Sequence, residues 1–207
     1  LFRGHLGGRL FRVDDDGEAR LFAELEGPNG TAFHWNGDIY VVDPGGERIA
    51  RVTPGGKVYT VATTCDGQPF EGTPNDITFH PTGTIYFTAP QNPVEDGHRR
   101  PVYRIDPAGE VTKVIDGLQY PNGVNINADG TQLYVAESCT GEIKIGDIRP
   151  DGATGCLVPD GSADMLPARH QRNRAARGPN SAARHQNPGP HSRNQLELSP
   201  SDRPDPR

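Results

Sequence analysis

The chain has 207 residues, a formal net charge of −6 and a hydrophobic fraction of 33%. This length suits one or two domains, and the sequence contains no apolar run long enough to span a membrane. It also contains no Gly-x-Ser-x-Gly nucleophile motif and no phosphate-binding loop, which argues against a serine hydrolase of that type and against a P-loop nucleotide enzyme.

The predicted elements are short β-strands joined by turns. Residues 8–25 hold two β-rich runs, and 27–43 hold a hairpin followed by two more strands at 48–62. A second hairpin at 71–90 is followed by two strands at 101–115, and a third hairpin lies at 120–138. No helical period of 3.6 residues occurs in residues 1–158, so a helical repeat array is a poor fit.

The three hairpins repeat one phrase. They read "GPNGTAFHWNGDIYVVD" at 27–43, "TPNDITFHPTGTIYFTAP" at 73–90 and "YPNGVNINADGTQLYVAES" at 120–138. Their asparagines, Asn29, Asn75 and Asn122, are 46 and 47 residues apart. A period of about 40–50 residues with four short strands per unit is typical of β-propeller blades. We therefore predict an all-β fold of the six-bladed β-propeller type, with about three blades present in residues 1–158.

Composition changes abruptly near residue 159. Residues 159–207 contain no Val, Ile, Phe, Tyr or Trp, and 164–207 contain eight Arg and seven Pro. Such a segment lacks the apolar surface that offsets the entropy lost on ordering. We predict a disordered tail or the product of a shifted reading frame. An Arg-rich nucleic-acid-binding arm is disfavoured, because the segment has no aromatic residue and no Lys.

The Pro-Asn segments are also the candidate functional site. Each precedes the first strand of its unit, and in a propeller such positions cluster at one mouth of the central channel. Glu26 precedes Asn29 by one short turn, and a carboxylate with amide oxygens suits a hard cation such as Ca²⁺ or Mg²⁺. The competing interpretation is that each asparagine only closes its own turn. His34 and His80 are interpreted as exposed turn residues rather than ligands.

These same phrases resemble the family of gluconolactonase, regucalcin (senescence marker protein 30) and luciferin-regenerating enzyme. The resemblance covers roughly residues 8–157 and implies a six-bladed propeller that hydrolyses sugar-acid lactones with one divalent metal ion. By resemblance, Glu26 in "EGP" and Asn122 in "YPNG" are metal ligands, and Asn75 with Asp76 in "PNDI" contact the substrate. Ca²⁺ is the expected ion, with Zn²⁺, Mg²⁺ and Mn²⁺ as alternatives.

One element of the family pattern is not found. The resemblance implies a further aspartate, ligand and general base, about one blade beyond Asn122, where the sequence reads "ARHQR" at 168–172. Asp160 in "VPDG" has the right neighbours, but it comes too early and no strand pattern follows it, so the role is not transferred to it. The catalytic residue therefore stays unknown, and we expect this chain to be inactive or poorly folded on its own.

The predicted function is thus a metal-dependent lactonase acting on a small-molecule lactone, without nucleic-acid or membrane partners and of unknown oligomeric state. Two alternatives stay open: a non-catalytic propeller that binds a partner, and a calcium-binding regulatory protein. Cys65, Cys139 and Cys156 are an odd count without Cys-x-x-Cys spacing and are interpreted as free thiols. A cytoplasmic location is expected, although the chain starts at Leu1 and a lost signal peptide is left open.

Overall fold

The structure is a computed structural model that describes residues 2–5, 7–90, 99–155 and 157–159, all within one compact unit of the chain. The rest of the predicted tail, Asp160 and Cys156 lie outside these residues. The regular secondary structure of the described part is antiparallel β-sheet, as predicted, apart from one short 3₁₀ helix, Pro44–Gly46. None of its helices has the length and apolarity that a membrane crossing requires.

Five sheets are present among the described residues, and they follow the chain in order. The first has three strands: β1 (Phe2–His5), β2 (Arg9–Val13) and β3 (Ala19–Glu24). The second has four: β4 (Thr31–Phe33), β5 (Ile39–Asp43), β6 (Arg48–Val52) and β7 (Val58–Ala62). A two-stranded ribbon follows, formed by β8 (Thr64–Cys65) and β9 (Gln68–Pro69).

The other two sheets also have four strands each. One contains β10 (Ile77–Phe79), β11 (Ile85–Thr88), β12 (Arg100–Ile105) and β13 (Val111–Leu118). The other contains β14 (Pro121–Ile126), β15 (Gln132–Glu137), β16 (Glu142–Asp147) and β17 (Val158–Pro159). Each four-stranded sheet is a simple meander, so the described residues contain the three predicted blades and a further three-stranded sheet.

The core lies between consecutive sheets rather than inside one of them. Strand β5 shows why: Val41 packs toward the first sheet and Val42 toward the sheet of β10–β13, and both are fully buried. Alternate residues of a strand point to opposite faces, so a strand sandwiched between two sheets needs apolar residues at successive positions. Burial of such side chains contributes about 1.5–3 kcal/mol each, and it stacks the sheets face to face.

Two sequence expectations concern histidines and cysteines. His34 and His80 do lie in hairpin turns, but the expectation that they are exposed is wrong because both are half-buried. The imidazole Nε2 of His80 lies 2.8 Å from the carbonyl oxygen of Gly130 in the next sheet, and the ring of His34 stacks 3.8 Å from that of Trp35. Cys65 and Cys139 are free thiols, as predicted.

Candidate functional site

The Pro-Asn segments lie side by side at one end of the stacked sheets. Strand β10 lies between β4 and β14, which makes these three strands neighbours across the sheets. The backbone N–H of Gly30 donates to the carbonyl oxygen of Asn75 at 3.1 Å. The hydroxyl of Thr88 donates to the carbonyl oxygen of Asn122 at 2.6 Å. The segments that carry Asn29, Asn75 and Asn122 therefore adjoin, as the repeat predicts.

Glu26 sits in a loop that a buried carboxylate holds in place. Its own backbone N–H and that of Gly27 donate to Oδ1 of Asp43 at 3.1 and 2.7 Å. Asp43 is fully buried and is also paired with Arg48, whose Nε lies 2.8 Å from Oδ2. A buried carboxylate is tolerated when it is paired and hydrogen-bonded in this way. The Glu26 side chain takes no part in the fastening and is exposed.

Asp76 is bonded to two sheets and lies against a third. Its Oδ2 accepts a hydrogen bond from the backbone N–H of Val124 at 2.9 Å, and its backbone carbonyl accepts one from Thr88 at 3.0 Å. On the other side, a Cβ placed on Gly30 would come within 2.5 Å of Oδ1 of Asp76. The first repeat therefore needs glycine beside the Asp76 side chain. One carboxylate oxygen of Asp76 thus accepts from the backbone of Val124. No described contact tests the predicted substrate contact of Asp76, which stays a prediction.

Asn75 is half-buried beside Asp76. Its backbone N–H donates to the carbonyl oxygen of Thr88 at 2.9 Å, and its own carbonyl accepts from Gly30. These contacts are made by the main chain, so they fix where the residue stands without using its amide group. No described contact tests the predicted role of that side chain toward a substrate.

Asn122 is fixed through both its main chain and its side chain. Its carbonyl accepts from Thr88, and its Nδ2 donates to Oγ of Ser138 at 3.1 Å. The second bond uses the donor atom of the amide, whereas a hard cation binds the amide oxygen. The orientation of the Asn122 amide is therefore compatible with the predicted ligand role.

A second buried carboxylate holds the segment that leads to Asn122. Oε1 of Glu137 accepts from the backbone N–H of Gln119 at 2.5 Å, and Oε2 accepts from the hydroxyl of Thr140 at 2.9 Å. Burial alone would raise the pKa of Glu137, but the hydrogen bonds from Gln119 and Thr140 and the nearby Lys144 outweigh it and lower that pKa. The side chain is 4% exposed and is held as a carboxylate.

Asp43 and Glu137 play the same part in two repeats, and sequence reasoning missed both. Each is the last residue of the second strand of its sheet, β5 and β15. Each accepts backbone N–H groups from the loop that leads into the Pro-Asn segment. An acidic residue closing the second strand of a repeat is the signal that was available. Carboxylates at strand ends are usually solvated, so the signal is weak without a structure.

The inner strands line a cleft of about 420 Å³ beside these loops. Its polar lining comes from Thr31 of β4, Thr78 of β10 and Asn125 of β14 together with Asp76, and its apolar lining includes Phe33 and Phe79. The cleft thus combines hydroxyl, amide and carboxylate groups with apolar surface. A polyhydroxylated small molecule needs this combination, because its hydroxyls require hydrogen-bond partners and its carbon faces require apolar contact.

The donor chemistry of the candidate metal ligands is that of oxygen. Among the described residues, no group of three His, Cys, Asp or Glu side chains is placed to hold a metal ion. The predicted ligand set is not of that type, because it would combine the carboxylate of Glu26 with the amide oxygen of Asn122. Oxygen donors of these types suit Ca²⁺ or Mg²⁺ better than Zn²⁺, which prefers histidine and cysteine ligands. The aspartate expected near residues 168–172 lies outside the described part of the chain.

Stacked antiparallel four-stranded sheets with loops gathered beside the innermost strands define a protein of the β-propeller class. The chain belongs to the SMP-30/gluconolactonase/LRE-like family, whose model matches residues 4–156. A curated gluconolactonase from Zymomonas mobilis subsp. mobilis (strain ATCC 31821 / ZM4 / CP4) is 31% identical over 121 residues, which are 54% of this chain and 34% of that protein. Protein STRICTOSIDINE SYNTHASE-LIKE 3 from Arabidopsis thaliana is 30% identical over 123 residues, 53% of this chain and 30% of that protein.

Solved structures of propeller-type proteins share the fold. A gluconolactonase from Xanthomonas campestris has a TM-score of 0.67 at 24% identity, covering 74% of this chain and 55% of that one. Virginiamycin B lyase from Staphylococcus aureus has a TM-score of 0.53 at 23% identity, covering 75% of this chain and 50% of that one. The chain therefore spans about a third of the length of the curated relatives and about half of that of the structural neighbours.

Proposed function

We propose that this chain acts on sugar-acid lactones as a hydrolase that uses one divalent metal ion, with Ca²⁺ as the favoured ion. Membership of the family and the likeness to a gluconolactonase support the reaction class. The observation that carries the site is the pair of bonds from Gly30 to Asn75 and from Thr88 to Asn122. They support the proposal because they join the Asn75 loop and the Asn122 loop to their neighbours beside the cleft that Asp76 lines.

In this proposal Glu26 and Asn122 hold the ion through oxygen atoms. A divalent ion at such a site supplies Lewis-acid polarisation of a bound carbonyl group. The Glu26 carboxylate is suited to the task because its loop is fastened by Asp43, which leaves the side chain exposed. The Asn122 amide is suited because its nitrogen is already engaged by Ser138.

Asn75 and Asp76 would orient the lactone. Asp76 lines the cleft, and its neighbour Asn75 stands on the same fixed loop. A lactone is opened when water attacks the carbonyl carbon, the ring C–O bond breaks, and a proton passes from the water to the leaving alkoxide. A base that removes the proton from water contributes about 10²–10⁴-fold to such a step. The described residues include no assigned base, so we expect this chain to hydrolyse lactones slowly.

The test combines metal binding with hydrolysis. Ca²⁺ affinity is measured by calorimetry for the full chain and for Glu26→Gln and Asn122→Ala, with Glu24→Gln and Asn36→Ala as matched controls on exposed residues. Hydrolysis of δ-gluconolactone is followed by acid release, with and without a chelator, above the spontaneous rate. We expect weaker Ca²⁺ binding only in the two site variants.

Equal Ca²⁺ affinity in the wild type and in both site variants would show that the ligand assignment is wrong. Tight, site-dependent Ca²⁺ binding without hydrolysis of any sugar lactone would favour the calcium-binding regulatory alternative. Absence of both metal binding and hydrolysis would favour a propeller that binds a partner.

A further inference from the structure

A single buried hydroxyl joins the two loops that carry the central site residues. Thr88 ends strand β11 and is fully buried. Its Oγ1 accepts a hydrogen bond from the backbone N–H of Asp76 at 3.2 Å and donates one to the carbonyl oxygen of Asn122 at 2.6 Å. The hydroxyl has one proton to donate and lone pairs to accept with, so both bonds form at once. One side chain therefore bridges the Asn75 loop and the Asn122 loop.

The first repeat manages without this hydroxyl. There the backbone N–H of Asn29 donates to the carbonyl of Val42 at 2.9 Å, and the N–H of Val42 donates to Gly30 at 3.0 Å. In the second repeat, the backbone N–H of Asn75 donates to the carbonyl of Thr88 at 2.9 Å, and the N–H of Thr88 donates to the carbonyl of Asp76 at 3.0 Å. Val42 and Thr88 are thus equivalent in the ladder. The fold accepts valine at this place, so the hydroxyl is an addition specific to the second repeat.

We infer that Thr88 is a positioning residue, whose hydroxyl sets the separation between the substrate-facing Asn75 and the metal-binding Asn122. This inference rests on the proposed function for the roles of those two asparagines. Among the hydrogen bonds shown for the described residues, Asn122 is joined to the neighbouring sheet through its main-chain carbonyl, which accepts from Thr88. Without the hydroxyl, that carbonyl and the N–H of Asp76 lose their buried partner and the Asn122 loop can shift.

Because a second hydrogen bond, from Val124 to Asp76, also joins these sheets, a substitution that removes the Thr88 hydroxyl tests that hydroxyl without separating the sheets. This second bond joins its donor and acceptor at 2.9 Å and does not involve Thr88. The apolar cluster between the sheets, which includes Val102 and Val135, is also untouched. Loss of the hydroxyl should therefore leave the sheets stacked while it releases the local position of Asn122.

Two variants separate the hydroxyl from the shape of the side chain. Thr88→Val keeps the branched shape that Val42 already shows to be compatible with the fold, but it removes the hydroxyl. Thr88→Ser keeps the hydroxyl and removes the methyl group. Residues that orient metal ligands typically cost 10–100-fold in metal affinity when changed, so we expect Ca²⁺ affinity to fall about tenfold in the valine variant and to stay near the wild-type value in the serine variant.

A second measurement does not depend on metal. Amide hydrogen exchange in the metal-free chain should become faster in Thr88→Val, and not in Thr88→Ser, at Asp76, whose N–H donates to the hydroxyl, and at Gly123, whose N–H shares a peptide unit with the Asn122 carbonyl. The amides of Asn29 and Val42 report on the equivalent ladder of the first repeat and should keep their wild-type rates in both variants. Circular dichroism confirms that each variant is folded.

The outcomes distinguish the inference from the proposed function. A valine variant with wild-type Ca²⁺ affinity, or a serine variant as impaired as valine, would overturn the inference while leaving the metal site intact. A wild type that binds no Ca²⁺ would overturn the proposed function instead. In that case the exchange rates at Asp76 and Gly123 still decide whether the hydroxyl positions the loop, and unchanged rates in the valine variant would refute it.

Discussion

The Asp43→Asn substitution tests the buried carboxylate that fastens the Glu26 loop. Oδ1 of Asp43 accepts from the backbone N–H of Gly27 at 2.7 Å, and Oδ2 accepts from Nε of Arg48 at 2.8 Å. Asparagine has the same shape but offers one oxygen and one NH₂ group. Whichever way the amide turns, one donor must face another donor, and the charge that pairs with Arg48 is lost.

The expected cost follows from burial. Leaving a buried donor unpaired costs about 1–3 kcal/mol, and more when the group is charged. Breaking a fully buried ion pair costs about 3–5 kcal/mol. Asp43 is fully buried but the Arg48 side chain is 23% exposed, so water can solvate the guanidinium once it is released. We therefore expect the free energy of unfolding to fall by about 2–3 kcal/mol.

Urea unfolding followed by far-ultraviolet circular dichroism measures this change. Fluorescence is less suitable because Trp35, the only tryptophan, is 70% exposed. Asp15→Asn is the matched control, since Asp15 is exposed and should change stability by less than about 0.5 kcal/mol. An Asp43→Asn variant as stable as that control would refute the argument that Asp43 fastens the loop.

Three further predictions concern single contacts. Gly30→Ala should lower the melting temperature, because the new Cβ would lie 2.5 Å from Oδ1 of Asp76. Gly55→Ala is the control, since a Cβ there would have its nearest neighbour at 3.9 Å, and equal melting temperatures of the two variants would contradict the prediction. Glu137 has a lowered pKa, so its contribution to stability is present above its ordinary value of 4.5 and is lost as pH falls through the folded value. The melting temperature should therefore fall more steeply below pH 4.5 in the wild type than in Glu137→Gln, and parallel curves would show that the carboxylate adds nothing. Burial raises the pKa of Tyr86 to about 12 and also raises that of Tyr103, so ultraviolet titration should show a late phase, and Tyr86→Phe should reduce the amplitude of that phase, whereas an unchanged amplitude would contradict the assignment.

The strand pattern was predictable because it depends on residues that are neighbours in the sequence. Alternating apolar residues and Pro-x-Gly or Asp-Gly turns predict hairpins from a few neighbouring residues, and the observed sheets confirm them. Adjacency of the Pro-Asn loops was also predictable, because equal spacing places equivalent residues at equivalent positions in stacked units. The metal and substrate roles of Glu26, Asn75, Asp76 and Asn122 came from family resemblance and stay predictions.

The groups that hold the loops were not predictable in the same way. Asp43, Thr88 and Glu137 act on backbone groups of other strands or other sheets, so their partners are set by stacking rather than by neighbouring sequence. His80 shows the same limit. A histidine in a turn is expected to be exposed, yet its Nε2 lies 2.8 Å from the carbonyl oxygen of Gly130 in the next sheet. Local pattern gives the elements, whereas contacts between elements depend on the spacing that the buried core imposes.

That spacing connects the core to the candidate site. The Asn75 and Asn122 loops belong to different sheets, and the distance between those sheets is set by side chains such as Tyr86, Val102 and Leu133, all fully buried. Protein interiors are close-packed, so a change of even one methylene group shifts their neighbours. The Thr88 hydroxyl can bridge the two loops only while that packing keeps its oxygen within hydrogen-bond distance of the Asn122 carbonyl oxygen, which lies 2.6 Å away. The geometry of the predicted metal and substrate residues therefore depends on how the sheets stack more than on any one loop.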